Sequence, residues 1–248
     1  MRGGALVTGG ARRVGRALAL ALADAGFDVA VHHRGGGDEA REVCEAIRAK
    51  GRRATAVAAD LAQADALADV VARAREGAGP LTVLVNSASL FEDDRIGRVT
   101  AQGLDAHLAA NLKAPVLLAQ AFAAQVEGPD GEACVVNLLD QRVLKPNPQF
   151  FSYSLSKAAL AWATRTMAQA LAPRVRVNAI GPGPTLPSVH QSPEAFAAEA
   201  AAVPLGRGSP PPEIAAALLY LVGARAVTGQ MIAVDGGQHL AWKTPDIP

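Results

Sequence analysis

The sequence predicts an α/β fold in which helices cover both faces of one parallel, doubly wound β-sheet of about seven strands. Short runs rich in Val, Leu and Ile alternate along the whole chain with longer amphipathic or alanine-rich stretches, which is the pattern of repeated βαβ units. Several of these runs are apolar at every position, as strands buried on both faces are. No linker or repeat interrupts the alternation, so residues 1–248 are predicted to form a single domain.

The alternation places each element in turn. Strands are expected at 4–8, 27–33, 53–58, 81–86, 132–138, 174–179 and 230–234. Helices are expected at 13–25, 38–50, 64–77, 100–127, 151–172, 193–203 and 211–223. Gly26 and Gly51 stand where glycines commonly end the first two helices, and Ser192 followed by Pro193 is a typical helix start.

The composition argues against several classes of protein. Lys and Arg total 24 and Asp and Glu total 23, so the formal net charge of +1 gives no support for a nucleic-acid or anionic-membrane partner. No apolar run is long enough to cross a bilayer. Cys44 and Cys134 cannot make a disulfide framework, which favours a reducing, cytoplasmic location. The histidines lack a carboxylate cluster, so no metal site is expected.

A glycine-containing turn joins the first strand to the first helix. Residues 8–15 read Thr-Gly-Gly-Ala-Arg-Arg-Val-Gly. Glycines allow a close approach of the backbone to a pyrophosphate, and the helix N-terminus then offers free N–H groups and a positive dipole end. An ordinary βα turn would look similar, but placement in the first of several βαβ units favours a dinucleotide site. The candidate cofactor-binding residues here are Thr8, Gly9, Arg12, Arg13, Val14 and Gly15.

The end of the second strand indicates which dinucleotide is bound. NAD sites carry an acidic residue there for the ribose 2′-hydroxyl, whereas this chain has His32, His33 and Arg34 and no carboxylate before Asp38. A guanidinium suits a 2′-phosphate, so His33 and Arg34 are candidate ligands of NADP(H). The alternative for Arg34 is a solvated loop residue, and His32 and His33 each fit a structural role.

Tyr153 and Lys157 share one face of the helix expected at 151–172. An ammonium beside the phenol would favour the phenolate and lower a pKa that starts near 10. Such a tyrosine can donate or accept a proton near neutral pH. The pair is common by chance on helix surfaces, so it becomes specific only when other motifs accompany it in order.

Those motifs are present, and on them the chain resembles the short-chain dehydrogenase/reductase family over essentially its full length. In order they are the turn at 8–15, Asp60-Leu61, Asn86-Ser87-Ala88, Asn111, Tyr153 with Lys157, the glycine-rich residues 178–183, Thr228-Gly229-Gln230 and residues 234–237. The resemblance implies a Rossmann-type sheet and a homotetramer. It assigns adenine binding to Asp60 and proton transfer to Tyr153, Lys157 and Asn111. It extends the cofactor-binding set to Asp60, Leu61, Asn86, Ser87, Ala88, Tyr153, Lys157, Gly181, Pro182 and Gly183.

Three departures from the general family pattern narrow the resemblance. Arg13 replaces the middle glycine of the turn, and Phe91 lies in the loop after the fourth strand. Asp140 stands thirteen residues before Tyr153, where the family usually has a serine. Together these resemble the pteridine reductase branch, which includes bacterial dihydromonapterin and dihydrofolate reductases of this fold. In that branch Arg13 would reach cofactor phosphate and pterin, and Phe91 would stack on the pterin. Asp140 and Tyr153 would donate a proton as a pair.

Two long irregular stretches, 87–99 and 181–192, each follow a strand and are expected to border the substrate, because ligands of open α/β sheets lie beyond the carboxyl ends of the strands. The candidate substrate-binding residues are Arg13, Ser89, Phe91, Asp140, Tyr153, Pro184 and Leu186. His190 in the second stretch fits a solvated histidine better than a catalyst. Trp242 in the tail is expected to approach a neighbouring subunit.

Asp140 favours reduction of a C=N bond over that of a ketone. A ketone reductase needs a neutral donor on the carbonyl oxygen, whereas an ionised aspartate only accepts hydrogen bonds and would repel a developing alkoxide. Reduction of a C=N bond puts a proton on nitrogen as hydride adds to carbon, and an Asp140–Tyr153 pair can deliver that proton.

The leading hypothesis is therefore an NADPH-dependent reductase that converts a dihydropterin or dihydrofolate to the tetrahydro form. One alternative is an NADP-dependent carbonyl reductase or alcohol dehydrogenase of the same family, in which Asp140 is a displaced loop carboxylate and Tyr153 works alone. Another is a non-catalytic NADP(H)-binding regulator, although such a protein does not need a tuned acid.

Overall fold

A seven-stranded, entirely parallel β-sheet forms the centre of the molecule in the computed structural model, which describes residues 3–127, 130, 132–188 and 191–242. The strands are β1 (Gly4–Val7), β2 (Asp28–His33), β3 (Ala54–Ala58), β4 (Leu81–Asn86), β5 (Ala133–Leu138), β6 (Val175–Pro182) and β7 (Met231–Val234). Their order across the sheet is β3-β2-β1-β4-β5-β6-β7. The predicted fold, one doubly wound parallel sheet in a single domain, is confirmed.

The helices of the described part of the chain lie between and after the strands. They are α1 (Arg13–Asp24), α2 (Gly37–Ala49), α3 (Leu67–Ala78), α4 (Ala101–Leu108), α5 (Ala114–Gln125), α6 (Phe151–Leu171), α7 (Pro193–Ala202) and α8 (Pro211–Gly223). Short 3₁₀ turns occur at Ala64–Ala66, Gln141–Val143 and Gln238–Leu240. The predicted helix starts at Pro193 and Pro211 agree with the structure.

The helix predicted over 100–127 is divided in the structure, and that prediction is wrong in this respect. A π-helical turn at Ala109–Lys113 separates α4 from α5. Pro115 accounts for the division, because it has no N–H to donate to the carbonyl of Asn111 and its ring crowds that carbonyl. Turns of this kind are frequent at functional sites, and Asn111 lies inside this one. A smaller correction concerns β6, which continues beyond the predicted end at 179.

Two apolar layers hold the helices against the sheet. Alternate side chains of β1 point to opposite faces, so Val7 packs with α1, α2 and α8 while Leu6 packs with α3 and α5. Phe122 of α5 is completely buried in the second layer. Burial of such a side chain contributes about 1.5–3 kcal/mol. Both layers together fix the strands whose carboxyl ends carry the site.

The carboxyl ends of the strands meet at one edge of the sheet. There β1 and β4 are neighbours although β2 and β3 intervene in sequence, which makes this the topological switch point where open α/β sheets bind ligands. The loops after β1, β4, β5 and β6 all emerge at this edge.

Among the described residues, no helix combines the length and apolar character needed to cross a membrane. The same part of the chain contains no cluster of His, Cys, Asp and Glu side chains that could hold a metal ion. Cys44 and Cys134 are both buried free thiols.

Candidate active site

The turn after β1 forms a cradle at the N-terminus of α1. Gly9 has a φ of 62°, and a Cβ on Gly15 would lie only 2.1 Å from the carbonyl oxygen of Gly9. Glycine is therefore required both for the backbone conformation and for the close contact. The N-cap residue, Arg12, makes no side-chain cap, which leaves the first N–H groups of α1 available to a phosphate. A dinucleotide pyrophosphate fits this arrangement.

Arg13 connects this turn to the loop at 181–192. Its φ of 52° is left-handed, a conformation that glycine adopts without steric cost and that is uncommon for other residues. Its Nη2 donates to the carbonyl oxygens of Pro187 at 2.9 Å and Leu186 at 3.4 Å. The predicted contacts of Arg13 with phosphate and substrate stay predictions. Val189 and His190 of the same loop lie outside the described residues.

His32 holds the glycine turn from below. Its Nδ1 accepts the N–H of Gly9 at 3.2 Å, and its Nε2 lies 3.1 Å from the carbonyl oxygen of Ala59. Because Nδ1 is the acceptor, the proton of the neutral ring resides on Nε2 and is donated to Ala59. Burial lowers the pKa of His32 to about 4, against the opposing effect of Ala59. The structural role expected for this residue is thus a brace between the phosphate turn and the end of β3.

The end of β2 and the residues after it form a basic group at the surface. Arg34 is exposed, and His33 is half-buried with its Nδ1 3.2 Å from the carbonyl oxygen of Gly35. Arg12 forms an ion pair with Glu39 of α2. A 2′-phosphate at this place would therefore meet Arg34 directly and would share Arg12 with Glu39.

Asp60 and Leu61 lie just beyond the end of β3. The Oδ1 atom of Asp60 accepts the N–H of Ala62 at 3.0 Å, while the rest of this side chain is exposed. Leu61 is buried in the layer that covers one face of the sheet. The backbone turn made by Asp60 leaves its second carboxylate oxygen for the predicted adenine contact.

Thr8 ties the ends of β1 and β4 together. Its Oγ1 accepts the N–H groups of Ser87 at 2.9 Å and of Ala88 at 3.0 Å, and it donates to the carbonyl oxygen of Val85. The predicted cofactor-binding residues of these two loops are thus brought into direct contact.

Asn86, by contrast, directs its side chain into the protein. Its Nδ2 donates to Oδ1 of Asn137 at 2.9 Å, and Nδ2 of Asn137 donates to Thr164 at 2.9 Å. This buried chain joins β4, β5 and α6. The side chain of Asn86 therefore braces the sheet beneath the site, and Asn137 and Thr164 are members of the support that the sequence did not single out.

Asp140 and Tyr153 are hydrogen-bonded. The hydroxyl of Tyr153 donates to Oδ2 of Asp140 over 2.9 Å. The same Oδ2 receives Nη1 of Arg142 at 3.1 Å, and Oδ1 accepts the backbone N–H of Arg142 at 2.8 Å. Asp140 thereby caps the 3₁₀ turn at Gln141–Val143, which holds the carboxylate towards the phenol. The carboxylate is not displaced from Tyr153, and Arg142 is a neighbour that the sequence analysis missed.

The prediction that Lys157 lowers the pKa of Tyr153 is wrong. Burial raises the pKa of Tyr153 well above its ordinary value, the Asp140 carboxylate raises it further, and Arg142 offsets only part of this. The Nζ of Lys157 donates instead to the carbonyl oxygen of Leu138 at 2.7 Å and lies 5.6 Å from the centre of the Tyr153 ring. Burial lowers the pKa of Lys157 to about 8, against the effect of Asp140. Tyr153 is thus a phenol at neutral pH.

Phe91 lies against Tyr153 at the mouth of the site. The two ring centres are 4.7 Å apart in an edge-to-face arrangement, and Phe91 also stacks in parallel on Phe150 at 4.2 Å. The guanidinium of Arg142 lies 6.0 Å from the centre of the Phe91 ring. An aromatic, partly cationic surface therefore adjoins the Asp140–Tyr153 pair.

Asn111 anchors the loop that carries Phe91. Its Nδ2 donates to the carbonyl oxygen of Leu90 at 2.9 Å and to Ser156 at 3.0 Å, and its Oδ1 accepts from the N–H of Leu90 at 2.8 Å and from Ser89 at 3.2 Å. Both amide hydrogens are used, so the side chain has none left for a further acceptor. Because Pro115 has no N–H, the backbone carbonyl of Asn111 lacks the donor that it would have in a regular α-helix.

The segment after β6 completes the edge of the site. Gly181 and Pro182 are the last residues of β6, and Gly183 passes so close to Asp235 that a Cβ would lie 2.7 Å from its Cα. Pro184 is buried, and its carbonyl oxygen accepts the N–H of Ser209 at 2.8 Å. These contacts hold the start of the second loop against the carboxyl end of the sheet.

The class of protein follows from this fold and from comparison with known sequences. A family model described as enoyl-(acyl carrier protein) reductase matches residues 9–239. The chain belongs to the short-chain dehydrogenase/reductase family, and it is an oxidoreductase. An uncharacterised oxidoreductase of Mycobacterium tuberculosis is 37% identical over 250 residues, which cover 98% of this chain and 94% of that protein. The 3-oxoacyl-[acyl-carrier-protein] reductase of Staphylococcus aureus is 33% identical over 95% of this chain and 98% of its own length.

Solved structures point to a more particular likeness. The alternative dihydrofolate reductase 1 (FolM) of Brucella suis, in complex with NADP, is 49% identical to this chain with a TM-score of 0.95 and covers 99% of this chain and 98% of its own. A short-chain dehydrogenase of Burkholderia cenocepacia in complex with NADP is 31% identical with a TM-score of 0.88, over 97% of this chain and 99% of its own. The resemblance to the pteridine reductase branch agrees with the first of these.

Proposed function

We propose that this chain is an NADPH-dependent pteridine reductase, which converts a dihydropterin or a dihydrofolate to the tetrahydro form. The observation that carries the proposal is the 2.9 Å hydrogen bond between the Tyr153 hydroxyl and Asp140. The carboxylate stands beside the proton donor, where it can accept an N–H group of the substrate but cannot donate to a ketone oxygen. The Brucella alternative dihydrofolate reductases, which are 49% identical, support the same substrate class.

The cofactor is NADP(H), in agreement with the NADP-bound structures of the neighbouring proteins. We assign its pyrophosphate to the uncapped N-terminus of α1 and the glycine turn. The 2′-phosphate is assigned to Arg34 and His33, with Arg12 as a further cation once its pairing with Glu39 is loosened. Asp60 and the loop at Ser87 and Ala88 would border the adenosine, and Lys157 the nicotinamide ribose. Val14 and the segment Gly181, Pro182 and Gly183 complete the proposed contacts.

When bound, NADPH supplies the hydride that adds to a ring carbon. Tyr153 holds the proton that the substrate nitrogen needs, because burial and Asp140 keep its pKa high and the phenol intact at neutral pH. Hydride on carbon and a proton on nitrogen together complete the reduction of the C=N bond. Asp140 orients the phenol and accepts from a substrate N–H. The buried backbone carbonyl of Asn111, which lacks an α-helical donor because of Pro115, is proposed to hold the water that returns a proton towards Lys157.

A flat substrate would lie beside Phe91. The Phe91 ring stands edge-on to Tyr153 at 4.7 Å, so a planar ring that contacts Phe91 lies within reach of the phenol. Phe150 occupies one face of Phe91 and would share that aromatic surface. Ser89, Pro184, Leu186 and Arg13 are the proposed remaining contacts, and they come from the loops at 87–99 and 181–192.

A carbonyl reductase is the second candidate. It is favoured by the Staphylococcus aureus 3-oxoacyl reductase, which is 33% identical over 95% of this chain. The phenol of Tyr153 could also donate its proton to a carbonyl oxygen. A non-catalytic NADP(H)-binding regulator has no comparable support, because the proton donor and its partners are all in place.

Loss of NADPH absorbance distinguishes these candidates. Purified protein is assayed with dihydrobiopterin, dihydromonapterin and dihydrofolate against a panel of ketones that includes a 3-oxoacyl thioester, with NADPH and with NADH. We expect kcat/KM for a dihydropterin to exceed that for any ketone, and NADPH to be preferred. Ketone or thioester turnover with inert pterins would overturn the proposal while leaving the cofactor assignment in place.

We also propose that the protein is a cytoplasmic homotetramer. The two free thiols, Cys44 and Cys134, suit a reducing compartment. Leu155 and Trp162 on α6 are 43% and 69% exposed. A shallow groove along α4, the π-helical turn and α5 is lined mainly by apolar side chains, together with Asp105 and Lys113. An exposed apolar surface of this kind is suited to contact with a second copy of the chain.

A further inference from the structure

Helix α6, which carries Tyr153, begins without a cap of its own. Its N-cap residue, Phe150, has a φ of 53°, and its side chain makes no capping hydrogen bond. Asp94, 58 residues before Ser152, supplies the cap from another loop. Its Oδ1 accepts the N–H of Ser152 at 2.9 Å, and its Oδ2 accepts the hydroxyl of the same serine. The carbonyl oxygen of Asp94 accepts the N–H of Phe151 at 3.1 Å.

The charge of Asp94 strengthens this contact. A carboxylate at a helix N-terminus is stabilised by the free N–H groups and by the helix dipole. Partial burial alone would raise the pKa of Asp94, but the hydrogen bonds from Ser152, with His107 nearby, bring it below its ordinary value. Asp94 is therefore ionised at neutral pH, and the bond to Ser152 is charge-assisted.

Asp94 lies three residues after Phe91 in the same loop. The other end of this loop is fixed by Asn111, and its middle by the N–H of Glu92, which donates to Nε2 of the buried His107 at 3.3 Å. Asp94 is thus the point at which the loop is fastened to the helix of Tyr153. Phe91 lies between these attachments, and its ring centre is 4.7 Å from that of Tyr153.

We propose that Asp94 is a positioning residue that sets the gap between Phe91 and Tyr153, and thereby the preference of the site for a flat bicyclic substrate. Asp94 is assigned no contact with the proposed substrate or cofactor, and it acts through Ser152 on one side and Phe91 on the other. This inference rests on the proposed function for the identity of the substrate, but the geometric part does not depend on it.

The test compares Asp94→Ala with Asp93→Ala, which removes the same charge from the adjacent exposed residue. Ser152→Ala is the milder second variant, because it removes only the hydroxyl and keeps the N–H bond. For each we measure kcat and KM with dihydrobiopterin and with a small acyclic ketone, and the Kd of NADPH by fluorescence quenching. Asp94→Ala is expected to raise KM for dihydrobiopterin about tenfold, with the ketone KM and the NADPH Kd within about twofold. Ser152→Ala should lie between Asp94→Ala and the wild type.

A folded Asp94→Ala variant with an unchanged pterin KM would overturn the inference. So would a variant that loses pterin, ketone and NADPH equally, since that marks a merely structural role. If the wild type reduces no pterin, the proposed function fails, and a crystal structure of Asp94→Ala then decides the geometric part. A wider separation of Phe91 and Tyr153 than in the wild type supports it, and an unchanged 4.7 Å overturns it.

Discussion

At the scale of single residues, the hydrogen-bond partner of Tyr153 helps to set the pKa of its phenol. Tyr153 donates to a carboxylate rather than to a neutral hydroxyl, and its pKa rises through burial and through Asp140. Lys157 is turned towards the carbonyl of Leu138 and does not counter this rise. The site therefore keeps a proton on Tyr153 at neutral pH, which agrees with the proposed reduction of a C=N bond.

Asp140→Ser tests that reasoning. Removal of the carboxylate takes away one cause of the high pKa of Tyr153 and places a neutral donor beside the substrate. We expect kcat/KM for a dihydropterin to fall by about 10²-fold and ketone turnover to increase. Steady-state assays across a pH series measure both, with Asp93→Ser as the control for a lost surface charge. An Asp140→Ser variant that behaves like the wild type on both substrates would refute the role given to Asp140.

At the scale of elements, the glycine turn depends on a buried histidine in β2. His32 accepts from Gly9 and is held at Ala59, so the phosphate cradle is attached to two strands besides the one that it follows. Such bracing matters because Arg13 has a left-handed backbone conformation, which is strained for a residue other than glycine. The contacts of His32 help to hold the turn in this conformation.

The titration of His32 makes this brace measurable. Its pKa is about 4 in the folded state and 6.5 ordinarily, so between these pH values the unfolded chain binds a proton that the folded chain does not. The free energy of unfolding should therefore fall as the pH falls from 6.5 towards 4, by about 2 kcal/mol at pH 5. His32→Gln keeps an acceptor and a donor but does not titrate, and it should lose this slope.

Urea unfolding at pH 7 and pH 5 is the measurement, and His33→Gln is the matched control. His33→Gln replaces the neighbouring histidine, whose Nδ1 lies against the carbonyl oxygen of Gly35, and it keeps the bond between His32 and Gly9. An equal slope in the wild type and His32→Gln would show that other groups account for the acid sensitivity.

Local pattern accounts for most elements and for part of the site. Strands and helices were predictable because apolar periodicity is a property of neighbouring residues, and Tyr153 with Lys157 because four residues make one helical turn. The division of the helix predicted over 100–127 was not predicted, although Pro115 marks it. Proline is common in the first turn of a helix, so Pro115 indicates the start of a second helix only when the turn before it is known. The end of β6 was missed because Gly181 and Pro182 resemble loop residues.

At the scale of the whole molecule, the remaining site contacts are non-local and left no pattern to read. The cap from Asp94 to Ser152 spans 58 residues, and the bond from Asn86 to Asn137 spans 51. Arg142 is close to Asp140 in sequence, but its contact with Phe91 depends on where the loop at 87–99 lies in the folded protein. The direction of the pKa shift of Tyr153 was missed for the same reason, since it is set by tertiary burial.

Assembly is the property of the whole molecule that is most directly tested. A tetramer of 25.4 kDa chains would have a mass of about 100 kDa by light scattering. Trp162→Glu places a charge in the exposed apolar surface of α6 and should yield smaller species, whereas Ile96→Glu, at another exposed apolar side chain, should not. A wild-type mass near that of one chain would overturn the proposed tetramer.

The bonds of Thr8 to Ser87 and Ala88 join segments 79 and 80 residues apart. The proposed cofactor site thus depends on contacts between residues far apart in sequence, because its two sides come together only when β1 and β4 are paired. Dinucleotide affinity is in consequence a reporter of complete folding, since partly folded chains lack the assembled cradle. By mass action, the cellular pool of NADPH would then shift the folding equilibrium towards the native state and protect the chain from proteolysis.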